Sequence, residues 1–226
     1  SDSTFNHEFF SKSEFAFVKS EIKKKNKLIV VNQYNRYIFL QIVDTGGKEL
    51  FKNTETIRRA GNVLAASLNK IKAVSACVIS DEGSDETLAL LEGMALGNYQ
   101  FLKYKTEPDK NSLTKINVVA KSVSPAQLAE TISVCEAVIM ARDLVNEPLI
   151  SLNATGLSNA FKAMGKKSGF TVKVFDKAKI KALKMGGLLA VNAGSIDPPT
   201  FTVMEWKPSK AINKKPFVLV GKGVVY

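Results

Sequence analysis

Histidine and cysteine are nearly absent from this chain of 226 residues, which has one His and two Cys. The single histidine, His7, lies in the N-terminal segment, and chain ends are generally poorly ordered unless they are tied down. Because a Ser-His or Cys-His mechanism needs an imidazole base beside the nucleophile, the composition argues against both. The cysteines match neither a C-x-x-C pair nor the dense framework of small secreted domains. We predict that both are buried thiols that pack as small apolar groups.

Long apolar runs are also missing from the sequence. No stretch of about 18 uncharged apolar residues could span a bilayer, and the first ten residues, "SDSTFNHEFF", lack the basic and apolar regions of a signal peptide. We therefore expect a cytoplasmic protein with no membrane segment. With 45% apolar and 23% charged residues, the composition is that of a globular protein of one large or two modest domains.

Arginine is scarce for a chain with a net charge of +11, since only four of its 32 basic residues are arginines. A positive surface attracts the phosphate backbone of nucleic acids. Hydrogen bonding to base edges and bidentate binding of phosphate, however, favour arginine. We predict that "EIKKKNK", residues 21–27, is a solvated loop. The sequence also contains no phosphate-binding loop of the form G-x-x-x-x-G-K-[ST] or G-x-G-x-x-G. Nucleic-acid binding is therefore kept as the less favoured alternative.

Short apolar runs rich in β-branched residues alternate with helical periodicity in the first half of the chain. We predict strands at "KLIVV", "YIFLQIV", "AVSACVI" and "TKINVVA", and helices over residues 54–68 and 85–97. This alternation predicts a layered α/β domain. The acidic loop "DEGSDE", residues 81–86, misses the spacing of a calcium loop, and we predict that Ser84 or Asp85 caps the helix that follows.

The clearest helix start in the sequence is at Ser124. Ser124 is a suitable N-cap, Pro125 suits the first helical position, and Gln127 completes a capping box. A mainly apolar stripe follows at spacings of three or four residues, and Pro148 disfavours helical geometry at the residue before it. We predict a helix over residues 123–147 that links two domains.

The alternation resumes after this helix. Asn153 and Asp176 are predicted N-caps of two helices, the second ending near Leu183. We predict strands at "FTVKVF", "GGLLAVN", "TFTVMEW" and "FVLVGKG". Because residues 217–220 are apolar throughout, the last strand is expected to be covered on both faces of a parallel sheet. Its "GKG" ending would then lie where ligands bind in such sheets.

Three stretches, in this order, resemble the leucyl aminopeptidase (cytosol aminopeptidase) family. The first is "EGMALGNYQFLKYKT", residues 92–106, and the second is "ARDLVNEP", residues 141–148. The third extends from "MGGLLAVNAGSIDPP", residues 185–199, to "VLVGKGVVY", residues 218–226. Two short stretches depart from the family pattern. "LNA" at 152–154 stands where L-T-P is usual, and "NAGS" at 192–195 stands where G-Q-G-S is common.

The resemblance implies a three-layer α/β/α N-terminal domain of macro-like fold over residues 1–122. The linking helix of residues 123–147 would follow, and residues 148–226 would be the first part of an α/β/α catalytic domain. It further implies an enzyme that hydrolyses N-terminal, preferably leucine-like, residues from peptides with water activated by two divalent metal ions, zinc or manganese. Such an enzyme would assemble as a homo-hexamer.

The resemblance also assigns a role to Lys222, which falls on a metal-binding lysine of the family. In the family pattern, "GKG" is followed by three residues and then by a metal-binding aspartate, and this chain stops one position short of that aspartate. We therefore expect a truncated chain that has no assignable catalytic residue, binds no metal by itself and is inactive alone. Two alternatives for the N-terminal domain are binding of nucleic acid or an ADP-ribose-type ligand, and a role in assembly only.

Overall fold

The computed structural model describes residues 7–47, 49–213 and 215–223, and the chain divides into two compact units. The first unit is Ser1–Met140 and the second is Ala141–Tyr226. The predicted α/β class is confirmed, because helices and strands alternate through the chain.

The first unit contains a short 3-10 helix at His7–Phe9 and four short strands among its helices. Its elements, in order, are α1 (Lys12–Lys23), β1 (Leu28–Asn32), β2 (Tyr37–Gln41), α2 (Leu50–Lys70), β3 (Ser75–Ile79), α3 (Ser84–Gly97), β4 (Lys115–Val119) and the larger part of α4 (Pro125–Asn146). All four strands and both helices predicted for this part of the sequence are confirmed.

Two small sheets and the helix pair α2 and α3 build the core of the first unit. Strands β1 and β2 form an antiparallel hairpin, and β3 pairs with β4 in parallel. One face of the parallel pair packs on α2 and α3 around Leu64, Ala65 and Met94. A second, smaller cluster joins Val18 of α1 to β1. Because strands alternate their side chains, the opposite face of β3 remains exposed, and Cys77 lies on it.

Helices α2 and α3 approach so closely that only glycine fits at their contact. A Cβ atom on Gly93 would overlap the backbone carbonyl of Arg58, and one on Gly61 would overlap the carbonyl of Leu90. The guanidinium Nε of Arg58 donates to Oε2 of Glu92 at 2.7 Å beside this contact. The "EG" of residues 92 and 93 therefore has a structural function, since it packs one helix on the other.

The capping box predicted at the start of α4 is confirmed. The backbone N–H of Gln127 donates to Oγ of Ser124 at 3.3 Å, and the backbone N–H of Ser124 donates to Oε1 of Gln127 at 3.0 Å. Cys135 is buried in the helix as predicted, whereas Ile132 in the same stripe is half exposed.

The second unit combines short helices with one antiparallel strand pair. It contains α5 (Ala154–Ser168), β5 (Thr171–Phe175), α6 (Lys177–Ala182), α7 (Gly186–Val191) and β6 (Phe201–Glu205). Both predicted caps are confirmed: Oδ1 of Asn153 accepts from the N–H of Gly156 at 2.9 Å, and Oδ1 of Asp176 accepts from the N–H of Lys179 at 2.8 Å. Gly169 ends α5 with a φ of 77°, a left-handed conformation that favours glycine.

Two strand predictions in the second unit are wrong. "GGLLAVN" forms helix α7, because a short apolar run without clear alternation fits a helix as well as a strand. The described residues of "FVLVGKG" form no strand, and residues 217–220 are exposed. An apolar run becomes a strand only when a neighbouring strand supplies its hydrogen bonds. Residues 217–223 have no such neighbour among the described strands, because β5 and β6 pair only with each other.

Two predictions for the first unit are also wrong. Cys77 is exposed rather than buried, because it faces away from the α2 and α3 core. The N-cap of α3 is Gly83, not Ser84 or Asp85. Ser84 is already the first helical residue, and Gly83 has the extended backbone that the cap position requires.

Candidate functional site

Lys222 is exposed and lies in a segment of the second unit that forms neither helix nor strand. The neighbouring Gly223 approaches helix α5, since a Cβ atom built on it would lie 3.7 Å from Cδ2 of Leu157. Gly221 has open space around its Cα. The structure therefore places this lysine beside the N-terminal half of α5.

The described residues do not provide the ligands that two divalent ions need. Within residues 7–47, 49–213 and 215–223, no group of three or more His, Cys, Asp and Glu side chains could hold a metal. A lysine ligates a metal only as the neutral amine, and hard divalent ions prefer several carboxylate oxygens around them. The donor set of the described residues therefore does not fit a dinuclear centre, and no hydrolytic step can be assigned to it.

A polar loop lies against the first turn of α5, on the same helix that Gly223 approaches. Nδ2 of Asn153 donates to Oδ1 of Asp197 at 3.1 Å, and Oγ1 of Thr200 donates to the carbonyl of Ala154 at 3.1 Å. Nδ2 of Asn192 donates to the backbone carbonyl of Asp197 at 3.0 Å. Sequence reasoning identified Asn153 only as a cap, because a contact across 44 positions leaves no local signal.

The carboxyl ends of the parallel strands β3 and β4 meet the acidic loop of residues 81–86. The hydroxyl of Ser122, after β4, donates to the carbonyl of Glu82 at 2.7 Å. A Cβ atom on Gly83 would overlap Oε2 of Glu86, so this carboxylate folds back over the start of α3. Because a carboxylate already lies at the positive end of the helix, the arrangement is unfavourable for phosphate, and none of the described contacts here supports an ADP-ribose-type ligand.

An asparagine network fixes the long connection between α3 and β4, which contains most of the 92–106 stretch. Oδ1 of Asn69 accepts from the N–H of Leu113 at 2.9 Å, and Nδ2 of Asn69 donates to Oδ1 of Asn98 at 2.7 Å. Nδ2 of Asn98 donates to the carbonyl of Leu113 at 2.8 Å, and Nδ2 of Asn111 donates to the carbonyl of Asn98 at 3.0 Å. These partners are structural, since each one satisfies a backbone or side-chain group of the connection.

The same connection borders a shallow, open hollow of about 250 Å³ at the end of α2. Its cationic side chains are Lys70, Lys72 and Lys110, and Lys72 lies 3.6 Å from the carboxylate of Asp109. Exposed lysines around an open hollow do not define a ligand, and we assign it no function. Within the part of the chain that the structure describes, every helix is too short or too polar to span a bilayer.

Two models of one protein family match this sequence in consecutive order. The model described as "Cytosol aminopeptidase family, N-terminal domain" matches residues 39–108, and "Cytosol aminopeptidase family, catalytic domain" matches residues 139–226. The first match covers α2, α3 and the glycine contact between them, and the second covers the Asn153 turn and Lys222.

Curated relatives carry the same family name. The chain is 42% identical over 156 residues to a probable cytosol aminopeptidase of Chlorobaculum parvum, covering 63% of this chain and 31% of the relative. It is 33% identical over 192 residues to a probable cytosol aminopeptidase of Clostridium perfringens, covering 80% and 39%. The chain therefore spans less than half the length of these relatives.

Solved structures share the fold. A tomato leucine aminopeptidase mutant superposes with a TM-score of 0.72 at 20% identity, over 84% of this chain and 41% of that one. The bottromycin maturation enzyme BotP in complex with Mn gives a TM-score of 0.70 at 20% identity, over 88% and 43%. At this identity the likeness establishes the fold alone. The two consecutive family matches, together with the relative that is 33% identical over 80% of this chain, show that the chain belongs to the cytosol aminopeptidase family.

Proposed function

We propose that this chain is the N-terminal portion of a leucyl aminopeptidase-type metallopeptidase that removes N-terminal, leucine-like residues from peptides in the cytosol. The observation that carries the proposal is the consecutive match of both domains of one family. The complete enzyme depends on two divalent ions, zinc or manganese, and assembles as a homo-hexamer. The manganese bound by BotP, which shares the fold, supports the dependence on metal.

Within this proposal, residues 1–122 form the N-terminal domain, 123–147 the linking helix and 148–226 the first part of the catalytic domain. The continuous helix α4, which begins after the Ser124 capping box and ends at Asn146, supports the middle range. Lys222 is the residue that contributes to the metal centre. Because the described residues contain no other suitable ligand group, the 226-residue chain alone is inactive.

The test is hydrolysis of a leucyl chromogenic amide in the presence of added manganese. The 226-residue chain, of verified mass, should give no turnover above background, whereas a protein that carries the full catalytic domain should be active. Turnover by the short chain would overturn the prediction that its metal ligands are incomplete and that it is inactive alone. An inactive complete protein would overturn the proposed function itself.

The role of Lys222 is tested in the protein with the full catalytic domain. Loss of a metal ligand should cost more than the 10- to 100-fold typical of an outer-shell partner, so we expect Lys222→Ala to lower kcat/KM by more than about 100-fold. Lys210→Ala is the matched control, because Lys210 is also an exposed lysine outside the helices and strands. Equal activity of the two variants would remove Lys222 from the metal centre.

A further inference from the structure

The loop of residues 192–200 follows helix α7 and contains no helix or strand of its own. It is nevertheless held to helix α5. Two of its residues are bonded to the same first turn, Asp197 to the side chain of Asn153 and Thr200 to the carbonyl of Ala154. Pro198 and Pro199 fix the backbone between these bonds, and Pro199 is buried. The loop is therefore tied to the helix at these points, although the side chain of Ile196 on it is fully exposed.

Asn153 has two functions at once. Its Oδ1 accepts from the N–H of Gly156 and caps the helix, while its Nδ2 donates to the carboxylate of Asp197. Asn192 adds a bond to the backbone carbonyl of the same aspartate. Asn153 and Asn192 also lie in the two stretches where the sequence departs from the pattern it resembles, and both are bonded to Asp197.

The same part of α5 also approaches the segment that carries Lys222. The backbone N–H of Leu157 donates to the carbonyl of Asn153 at 2.9 Å, and the side chain of Leu157 is the nearest neighbour of a Cβ built on Gly223. The turn thus bonds to the loop through Asn153 and Ala154, and it lies close to Gly223 through the side chain of Leu157. A shift of the turn would move both together.

We propose that Asn153, Asn192 and Asp197 form a polar clasp that fixes the first turn of α5 and thereby positions the segment carrying Lys222. These three are positioning residues, and their role in activity rests on the proposed function. The clasp itself is a property of this chain and is tested without any enzymatic activity.

Three variants separate the clasp from the helix cap. In Asn153→Asp the cap acceptor remains, but a second carboxylate faces Asp197 and the donor is lost. Asp197→Asn keeps an acceptor for Asn153 and is the matched control. The double variant Asn153→Asp with Asp197→Asn restores the bond with donor and acceptor exchanged, so a restored signal would identify the bond itself.

The first readout is NMR spectroscopy of the 226-residue chain. We expect Asn153→Asp to abolish the nuclear Overhauser effect between the Leu157 methyl groups and the Gly223 α protons. The Ser195 amide, which donates to Asn192 at 3.0 Å, should exchange at least about tenfold faster, as loss of a charged hydrogen bond predicts. Asp197→Asn and the double variant should stay close to the wild type.

Unchanged signals in Asn153→Asp would overturn the clasp, as would a double variant that stays perturbed while Asp197→Asn is normal. If Asn153→Asp fails to fold, Asp197→Ala replaces it, because it removes the bond and leaves the cap intact; it is expected to give the same losses.

The second readout is kinetic, in the protein with the full catalytic domain. We expect Asn153→Asp to lower kcat about tenfold, the effect of a small misplacement, with KM changed by less than about twofold. The double variant should recover kcat. An unchanged kcat together with a lost Leu157 to Gly223 signal would overturn the positioning role. An inactive wild type would instead refute the proposed function and leave the NMR result to decide the clasp.

Discussion

The two units of the chain differ in how far they bury their own apolar residues. In the first unit, Val18, Ala65 and Met94 are completely buried, and a continuous cluster joins α2 and α3 to β3 and β4. In the second unit, Ile180 is the one buried side chain among the described Ala, Val, Leu, Ile and Met residues. The run of residues 217–220 is between 74% and 97% exposed.

The unit that buries the larger core is therefore not the unit that carries the proposed metal-binding lysine. Burial of apolar surface is the main favourable term in folding, at about 25 cal/mol per Å², so the first unit should contribute most of the stability. The second unit contains Lys222 and the polar clasp but a small core. Its exposed apolar run is of the kind that marks a contact surface.

The largest expected effect comes from one pair of leucines. Leu64 is 7% exposed in the core of the first unit, and Leu219 is 97% exposed in the second. We expect Leu64→Ala to lower the free energy of unfolding by about 2–5 kcal/mol. Leu219→Ala should change it by less than about 0.5 kcal/mol. Urea unfolding followed by far-UV circular dichroism measures both, and similar losses would break the comparison.

The next effect concerns glycines on helices of the two units. Gly93 has no room for a Cβ atom, whereas Gly186 at the start of α7 has nothing within 4 Å of one. We expect Gly93→Ala to cost about 1–3 kcal/mol through overpacking. Gly186→Ala should be neutral or stabilise by up to about 1 kcal/mol, since alanine restricts the unfolded chain.

Hydrogen exchange at Val78, on the strand that packs against this helix pair, provides the readout for Gly93→Ala. Exchange there should accelerate in Gly93→Ala and stay unchanged in Gly186→Ala. If Gly93→Ala leaves exchange at Val78 unaltered, α2 and α3 are not held by the glycine contact.

Local patterns in the sequence predicted most of the fold. The capping box at Ser124 and Gln127 and the caps at Asn153 and Asp176 were identified because each depends on residues three positions apart. The strand predictions failed at "GGLLAVN" and "FVLVGKG", where an apolar run has no alternation to distinguish strand from helix or loop. The exposure of Cys77 depends on which sheet face the helices cover, and no local pattern contains that information.

The candidate site was less accessible to sequence reasoning. The role of Lys222 came from a resemblance and stays a prediction, because the described residues around it hold no ligand cluster. The bond between Asn153 and Asp197 joins positions 44 residues apart, and asparagine at a helix start is fully explained by capping alone. Only the structure shows that its amide has a second partner.

The smallest expected effect lies at the surface of the first unit, where polar contacts add to the core. The backbone N–H of Ser11 donates to Oε2 of Glu14 at 2.7 Å, and Nε2 of Gln33 donates to the same oxygen at 3.0 Å. The bond from the Ser11 backbone, followed by those from the side chains of Ser11 and Gln33, lowers the pKa of the Glu14 carboxyl. This contact connects the start of α1 to the β1 and β2 hairpin.

The direction of the Glu14 pKa shift sets the pH dependence. Because the folded-state pKa is below the unfolded one, the carboxylate stabilises the fold above the ordinary glutamate value of about 4.3. That contribution is lost as the pH falls through the folded-state pKa. The difference in stability between wild type and Glu14→Gln should therefore shrink with acidification. Glu55→Gln is the control, since Glu55 pairs with Arg59 in solvent on α2. A difference that grows towards acid pH would show that the hairpin is not held by the ionised carboxylate.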